Sequence, residues 1–245
     1  MPTKTSQPMD HFSLHAISPL LNNFTWPTGD FNPNGTWKHS YKIYGLVLTW
    51  SKSNGETGDL TIQRQRAGNK SFNLDINYDR YLFPESNDYP PSRQLISAQI
   101  HCRQNSLSTP VSWKMQSQVF SPDGQLVPYT QITKNQNRPE QSPGAYTNNW
   151  ALYDAVQRLP RREFKPLTFT LFDHFDQRKD DQRIMFHKSA VVKIGDRAAE
   201  LYALVQFGRG ILPIVYWLDE HGRLLFVISG AEAYILKTTH AADLI

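Results

Sequence analysis

The chain has 245 residues, a formal net charge of +4 and 12% aromatic residues, a length that buries a large core without metals or disulfides. Its single cysteine, Cys102, excludes an intrachain disulfide and a multi-cysteine zinc site. The basic residues are scattered, with clusters only at Arg158–Arg161–Arg162 and Arg178–Lys179–Arg183. A nucleic-acid binder gathers them on one element, so no nucleic-acid partner is expected. No run approaches the ~18 apolar residues of a membrane span, so no transmembrane segment is expected. The stretch from Met1 to Asp10 lacks the basic start and apolar run of a signal peptide. The expected compartment is the cytoplasm as the chain stands, or the periplasm or exterior if a leader has been removed.

In chain order, residues 1–40 are punctuated by Pro27, Gly29, Pro33 and Gly35 around Trp26, Phe31 and Trp37. They are expected to form an irregular arm packed on the body. Residues 41–245 are expected to form one antiparallel β domain. Lys42–Trp50 and Asp59–Arg66 are strand-like, and Ser71–Asp79 alternates, with Phe72, Leu74, Ile76 and Tyr78 on one face. The same alternation puts Ile96, Ala98, Ile100 and Cys102 together, then Val111, Trp113, Met115, Ser117 and Val119. Pro122-Asp123-Gly124 is a turn before a strand over Gln125–Thr133, and Lys134–Gly144 reads as a loop.

One helix is expected, over about 149–159, capped by Thr147 or Asn148 and stopped by Pro160. Leu152, Val156 and Leu159 share its apolar face, widened by Trp150, Tyr153 and Ala155. Asp154 and Arg158 are placed as an i,i+4 pair on its wet side. Strands are expected over Leu167–Phe172, Arg183–His187, Val191–Ile194, Ala199–Phe207, Ile211–Asp219, Arg223–Ser229 and Ala233–Lys237. Gly195-Asp196 makes a hairpin turn and decides Ala199–Phe207 for strand over helix.

The segment from Ile214 to Ile228 reads in register around a Glu220-His221-Gly222 loop. Asp219 then faces Arg223, Leu218 faces Leu224, Tyr216 faces Phe226 and Ile214 faces Ile228. Val215, Trp217, Leu225 and Val227 take the other face, so both faces are apolar and both need a cover. The helix covers one. The arm, a partner or a ligand covers the other.

From Asn149 to Lys237 the order of elements resembles bacterial proteins of unknown function related to the lipoprotein-carrier barrels. The resemblance is carried by the helix ending Arg158-Leu159-Pro160, the strand Leu167–Asp173, the Val192–Leu204 hairpin, and Pro213-x-x-Tyr216-Trp217-Leu218-Asp219 leading into Gly222-Arg223-Leu224-Leu225. It implies a mainly β fold: a large curved antiparallel sheet or open half-barrel wrapped around one central helix. It also implies a concave surface for an apolar or amphipathic ligand, and it transfers no functional residue.

Candidate chemistry is sparse. His101 and Cys102 are adjacent strand residues and point to opposite faces, so they form no dyad. Asp173, His174, Asp176 and His187 offer metal-ligand atoms, but the alternation separates Asp173 from His174 and Asp176, and the charged run Asp176–Arg183 is simplest as a solvated hairpin tip. Neither a metal nor a cofactor is expected. Asp219, Glu220 and His221 sit on a tight turn. Trp113, Trp150, Tyr216, Trp217 and Phe226 could line a ligand cavity or simply be core, and Trp26, Trp37 and Tyr41 could stack on sugars or pin the arm.

Three functions fit these patterns: a noncatalytic binding or carrier protein for a lipid-like or other amphipathic ligand, a carbohydrate-active enzyme with a cleft on the concave sheet, and a subunit of an assembly. No catalytic motif separates them, and no pattern specifies an oligomeric state.

Overall fold

The computed structural model describes residues 14–46, 55–83, 92–120, 126–134, 144–175 and 177–242. A four-residue helix, α1 (Leu14–Ile17), runs into a 3₁₀ turn over Ser18–Asn23. The strands that follow are β1 (Thr36–Gly45), β2 (Glu56–Arg66), β3 (Ser71–Phe83), β4 (Ser92–Arg103), β5 (Pro110–Phe120), β6 (Leu126–Lys134) and β7 (Tyr146–Asn148). Then come α2 (Asn149–Ala155), β8 (Leu167–Asp173), β9 (Gln177–Ile194), β10 (Arg197–Phe207), β11 (Ile214–Leu218), β12 (Leu224–Ser229) and β13 (Glu232–Ala242).

All these strands join one 13-stranded sheet in the order β6-β5-β4-β3-β2-β1-β13-β12-β11-β10-β9-β8-β7. Pairing is antiparallel throughout except for β7 and β8, which run parallel and are linked by α2. The sheet curls until its two ends nearly meet. The Tyr146 hydroxyl of β7 donates to the Pro110 carbonyl of β5 at 2.9 Å, and Thr147 Oγ1 donates to the Leu107 carbonyl at 2.7 Å. The result is a mainly β, barrel-like sheet, in agreement with the expected fold class.

Side-chain alternation explains the curl. Phe72, Leu74, Ile76 and Tyr78 of β3 face Cys102, Ile100, Ala98 and Ile96 of β4, and all are buried. Burying each large apolar side chain contributes about 1.5–3 kcal/mol, which fixes the register, since a one-residue slip would turn the whole set outward. Helix α2 fills the space these strands enclose. Asn148 caps it, accepting from the Ala151 amide at 2.7 Å, and a 3₁₀ turn over Val156–Arg158 ends it before Pro160. Trp150 through Gln157 are all buried, as befits a helix surrounded by sheet rather than laid on one face of it.

Several expectations need correction. The helix has no wet side: Asp154 is fully buried and bound by Arg64, Arg158 and Ser108. The strand signal begins at Thr36 rather than Tyr41, and Trp37 and Tyr41 point into the core. Residues 183–187 and 191–194 belong to one long strand, β9, so the charged run from Gln177 is strand and the tip is the turn before it. The β11–β12 hairpin is shifted by one from the expected register. Leu218 does face Leu224, but an irregularity at Leu225 then pairs Trp217 with Phe226 and Tyr216 with Val227. The turn itself is as expected, with Gly222 at φ +82°.

Both faces of that hairpin are buried, and each has its cover. Tyr216 faces α2, its ring 6.2 Å from that of Tyr153. On the other face Phe24 of the arm lies 4.9 Å from Phe226, and Trp26 donates its indole N–H to the Ile194 carbonyl. Two arginines hold the next part of the arm by its backbone: Arg223 donates to the Gly29 carbonyl at 2.8 Å, and Arg64 donates to the Asn34 and Gly35 carbonyls. The expected turns at Pro122–Gly124 and the loop over 135–143 lie outside the described residues.

Candidate functional site

The interior is not completely filled. Between α2 and the sheet lies a cavity of about 220 Å³ at the end of the barrel where β3 and β10 finish and β11 and β13 begin. Its floor is the α2 face carrying Trp150 and Tyr153, and Leu60, Leu171 and Val227 supply apolar wall. Three further tyrosines enter from the sheet. Tyr78 arrives as the last member of the inward-facing β3 series, while Tyr216 and Tyr234 come in register with Val227 from its two neighbouring strands.

The polar groups of this wall are largely matched to one another. Tyr216 donates its hydroxyl to Gln206 Oε1 at 2.7 Å, and Tyr234 donates to Glu232 Oε2 at 3.0 Å. Arg80 forms an ion pair with Glu232 and approaches the Tyr78 oxygen at 3.5 Å. Asp173 accepts from Lys179 at 2.7 Å. Burial pushes the phenols of Tyr153, Tyr216 and Tyr234 up from their ordinary value, with a further push on Tyr216 from the Asp173 charge. These hydroxyls stay protonated at neutral pH and act as hydrogen-bonding groups rather than bases.

The rim near β8 is strained. His174 and Phe175 both have positive φ, 48° and 62°, a conformation that costs non-glycine residues on the order of 1–3 kcal/mol each. The surroundings that hold it are specific. Phe175 stacks on Trp113 with ring centroids 4.4 Å apart, and His174 stacks on Trp150 at 4.9 Å. The His174 amide donates to Asn149 Oδ1 at 3.1 Å. This turn brings Asp173 and His174 to the same cavity, which simple alternation would have prevented.

Of the five aromatic residues marked in the sequence, Trp150 and Tyr216 line the cavity. Trp113 stands behind it, stacked on Phe175. Trp217 and Phe226 face the other way, Phe226 against the arm and Trp217 with Lys188 Nζ 5.9 Å from its ring. The residues not anticipated are Tyr78, Tyr153, Tyr234, Arg80 and Glu232. Tyr78 and Arg80 share a face of β3 by alternation, and that signal could have found them; no sequence signal indicated Glu232.

The other candidate groups are accounted for elsewhere. Cys102 is core, its thiol pushed well up by burial, and His101 on the opposite face bonds Asn73 through Nδ1 at 2.7 Å. Asp219 Oδ1 accepts from the amides of His221 and Arg223 and so shapes the turn. Among the described residues, no cluster of His, Cys, Asp or Glu is arranged to hold a metal; Asp176 lies outside them. No described helix is long and apolar enough to cross a membrane.

No family model matches this chain, and no curated protein matches it. Among solved structures, it is similar to a β-barrel-like protein of a domain of unknown function, DUF1849, from Brucella abortus. That likeness has a TM-score of 0.53 at 10% identity and covers 85% of this chain and 98% of the other. At this identity the likeness shows the fold, a β-barrel-like sheet, and it extends well beyond the Asn149–Lys237 region that carried the resemblance in the sequence.

Proposed function

We propose that the protein is a noncatalytic binding or carrier protein that holds a small amphipathic ligand in the cavity above Tyr153. The carrying observation is the wall itself: a partly open recess in which Trp150, four tyrosines and aliphatic side chains stand beside charged and amide groups such as Arg80, Glu232 and Gln206, a combination of apolar surface and polar anchors that ligand sites use. The kinship to lipoprotein-carrier barrels drawn from the order of elements between Asn149 and Lys237 is part of this proposal. The size refines it. A cavity of about 150 Å³ accommodates benzene, so by proportion this one, of about 220 Å³, holds roughly nine non-hydrogen atoms. That suits a headgroup or short-chain amphiphile rather than a two-chain lipid.

The rival readings have less support. A carbohydrate-active enzyme would draw on aromatic platforms from the arm and on a carboxylate able to exchange protons. Trp37 and Tyr41 are instead buried, and Asp173 and Glu232 are each ion-paired. An assembly subunit would leave the outer face of the hairpin open, whereas Phe24 of the same chain covers Phe226.

Native mass spectrometry of gently purified protein, followed by solvent extraction, tests the proposal. A reproducible bound mass, released as a small amphipathic molecule, is expected. A protein that is clean after gentle purification, and that no small amphiphile stabilises at millimolar concentration, would contradict it.

A further inference from the structure

The charges of the cavity wall are paired off, but several of its hydrogen-bond donors are not used. Arg80 is paired with Glu232 and Asp173 with Lys179, so the guanidinium and both carboxylates of the wall have opposite charges beside them within the chain. Tyr216 and Tyr234 give their hydroxyl hydrogens to Gln206 and Glu232. The Tyr153 hydroxyl, on the cavity floor, has no hydrogen-bond partner among the described residues. Asn149, also at the cavity, spends its Oδ1 on the His174 amide, and its Nδ2 has no partner among the described residues. Arg80 Nε is a buried donor without a partner on the same wall. The rest of that guanidinium serves Glu232 and makes a 3.5 Å contact with the Tyr78 oxygen.

A buried donor without an acceptor costs free energy, and native interiors leave few of them. Asn149 and Tyr153 stand four residues apart on α2 and so share one face of it; their donors serve the same space. A ligand that brings an oxygen acceptor into that space satisfies them, whereas one that brings only N–H groups satisfies neither. The acceptors that remain are the phenolic oxygens, which are weak, and Asp173 Oδ1, whose charge Lys179 already meets. We propose that the cavity recognises the carbonyl oxygen of a carboxylate or amide end on a short-chain molecule. Tyr153 and Asn149 are its donors, and Arg80 Nε becomes a third through a small turn of its side chain, since that atom lies beneath the cavity surface. Donor and acceptor complementarity makes the selection, not net charge. This inference rests on the binding function proposed above and names the chemistry of the same site.

The test is isothermal titration of the full chain with three probes of one chain length: hexanoate, hexanamide and hexylammonium. The two carbonyl probes are expected to bind, and hexylammonium, which has donors only, to bind at least about tenfold more weakly. Should only one carbonyl probe bind, the proposal stands and that probe names the charge of the polar end. Tyr153→Phe, which keeps the ring, is expected to weaken the carbonyl probes roughly three- to tenfold; unchanged binding to the folded variant would overturn the role given to Tyr153. The comparison of probes on the unaltered protein stands even if that variant folds poorly. If hexylammonium binds as tightly as the carbonyl probes, the acceptor rule is wrong while the binding function stands. If none of the three binds, the molecule extracted from the purified protein decides. One with a carboxylate or amide end supports the proposal, one without overturns it, and the absence of any bound molecule contradicts the binding function as well.

Discussion

Arg64 Nε and Asp154 Oδ1 stand 2.8 Å apart inside the barrel, with neither side chain exposed to solvent. Asp154 also holds Arg158 at 2.8 Å and accepts from Ser108 Oγ at 2.5 Å. One carboxylate on α2 thus ties the helix to β2 and to the segment leading into β5. Desolvation lowers the Arg64 pKa against the pull of Asp154, so the pair matters chiefly because Arg64, among the described residues, has no other carboxylate beside it.

Asp154→Ala is therefore expected to destabilise the fold by about 3–5 kcal/mol, the usual cost of stranding a buried charge. Replacing both partners, as Arg64→Met with Asp154→Leu, is expected to recover a substantial part of that loss, because apolar pairs often replace buried ion pairs without harm. Urea unfolding midpoints with unchanged slope are the measurement. An Asp154→Ala variant within about 1 kcal/mol of the parent would mean the network is not structural.

A second prediction concerns pH. His39 is fully buried, and its pKa falls from 6.5 to about 4, first through desolvation and also through the Arg223 charge. Its neighbours define the neutral tautomer. Gln157 Nε2 donates to the Tyr153 carbonyl, so Oε1 is left to accept from His39 Nε2–H, and Thr239 Oγ1 donates to Nδ1. Above pH 6.5 the ring is neutral folded or unfolded. As pH falls from 6.5 towards 4, only the unfolded chain takes up the proton, so stability drops across that window. The full loss is roughly 3 kcal/mol. Urea midpoints between pH 7.5 and pH 4.5 should fall less steeply for His39→Gln than for the parent; equal slopes would contradict the assignment.

The third prediction follows from the hairpin turn. A Cβ on Gly222 would sit 2.8 Å from the Gln157 carbonyl oxygen, at φ +82°. The carbonyl belongs to the buried end of the helix and cannot easily withdraw. Gly222→Ala is expected to cost roughly 1–3 kcal/mol, read as a lowered thermal midpoint. A neutral substitution would show that the hairpin and the helix end are less closely apposed.

Much of the fold is legible in the residues because alternation is a local signal. Phe72 to Tyr78 and Ile96 to Cys102 declare their inward faces, and Gly195-Asp196 separates a strand from a helix that Leu201, Leu204 and Val205 would equally allow. The surroundings of the helix are less legible. An i,i+4 Asp154–Arg158 pair looks like a solvated edge, and only tertiary structure brings Arg64 and Ser108 to it. The hairpin register failed for a similar reason, since the irregularity at Leu225 leaves no mark in a sequence apolar on both sides. Within the cavity, Trp150 and Tyr216 could be marked by residue type, but Trp217 was marked by the same criterion and faces the other way. Asp173 and His174 share the cavity only because a positive-φ turn breaks the alternation.

The arm provides the fourth prediction. Phe24 and Trp26 cover the outer apolar face of the hairpin, and Arg197 lies over Trp26 at 4.8 Å. Phe24→Ala with Trp26→Ala is expected to expose Phe226, lower stability by a few kcal/mol, and raise binding of a hydrophobic dye. Unchanged dye binding and stability would mean that the arm is not the cover.

The most direct test of the account is native mass spectrometry of the parent protein beside Val227→Phe, whose ring would occupy the cavity between Tyr216 and Tyr234. Ser229→Leu, at the rim, serves as an independent second block. The account predicts a small bound molecule on the parent and its loss from both variants, with their folds intact by circular dichroism. A bound molecule that persists in the blocked variants, or a parent that carries and accepts none, would contradict it.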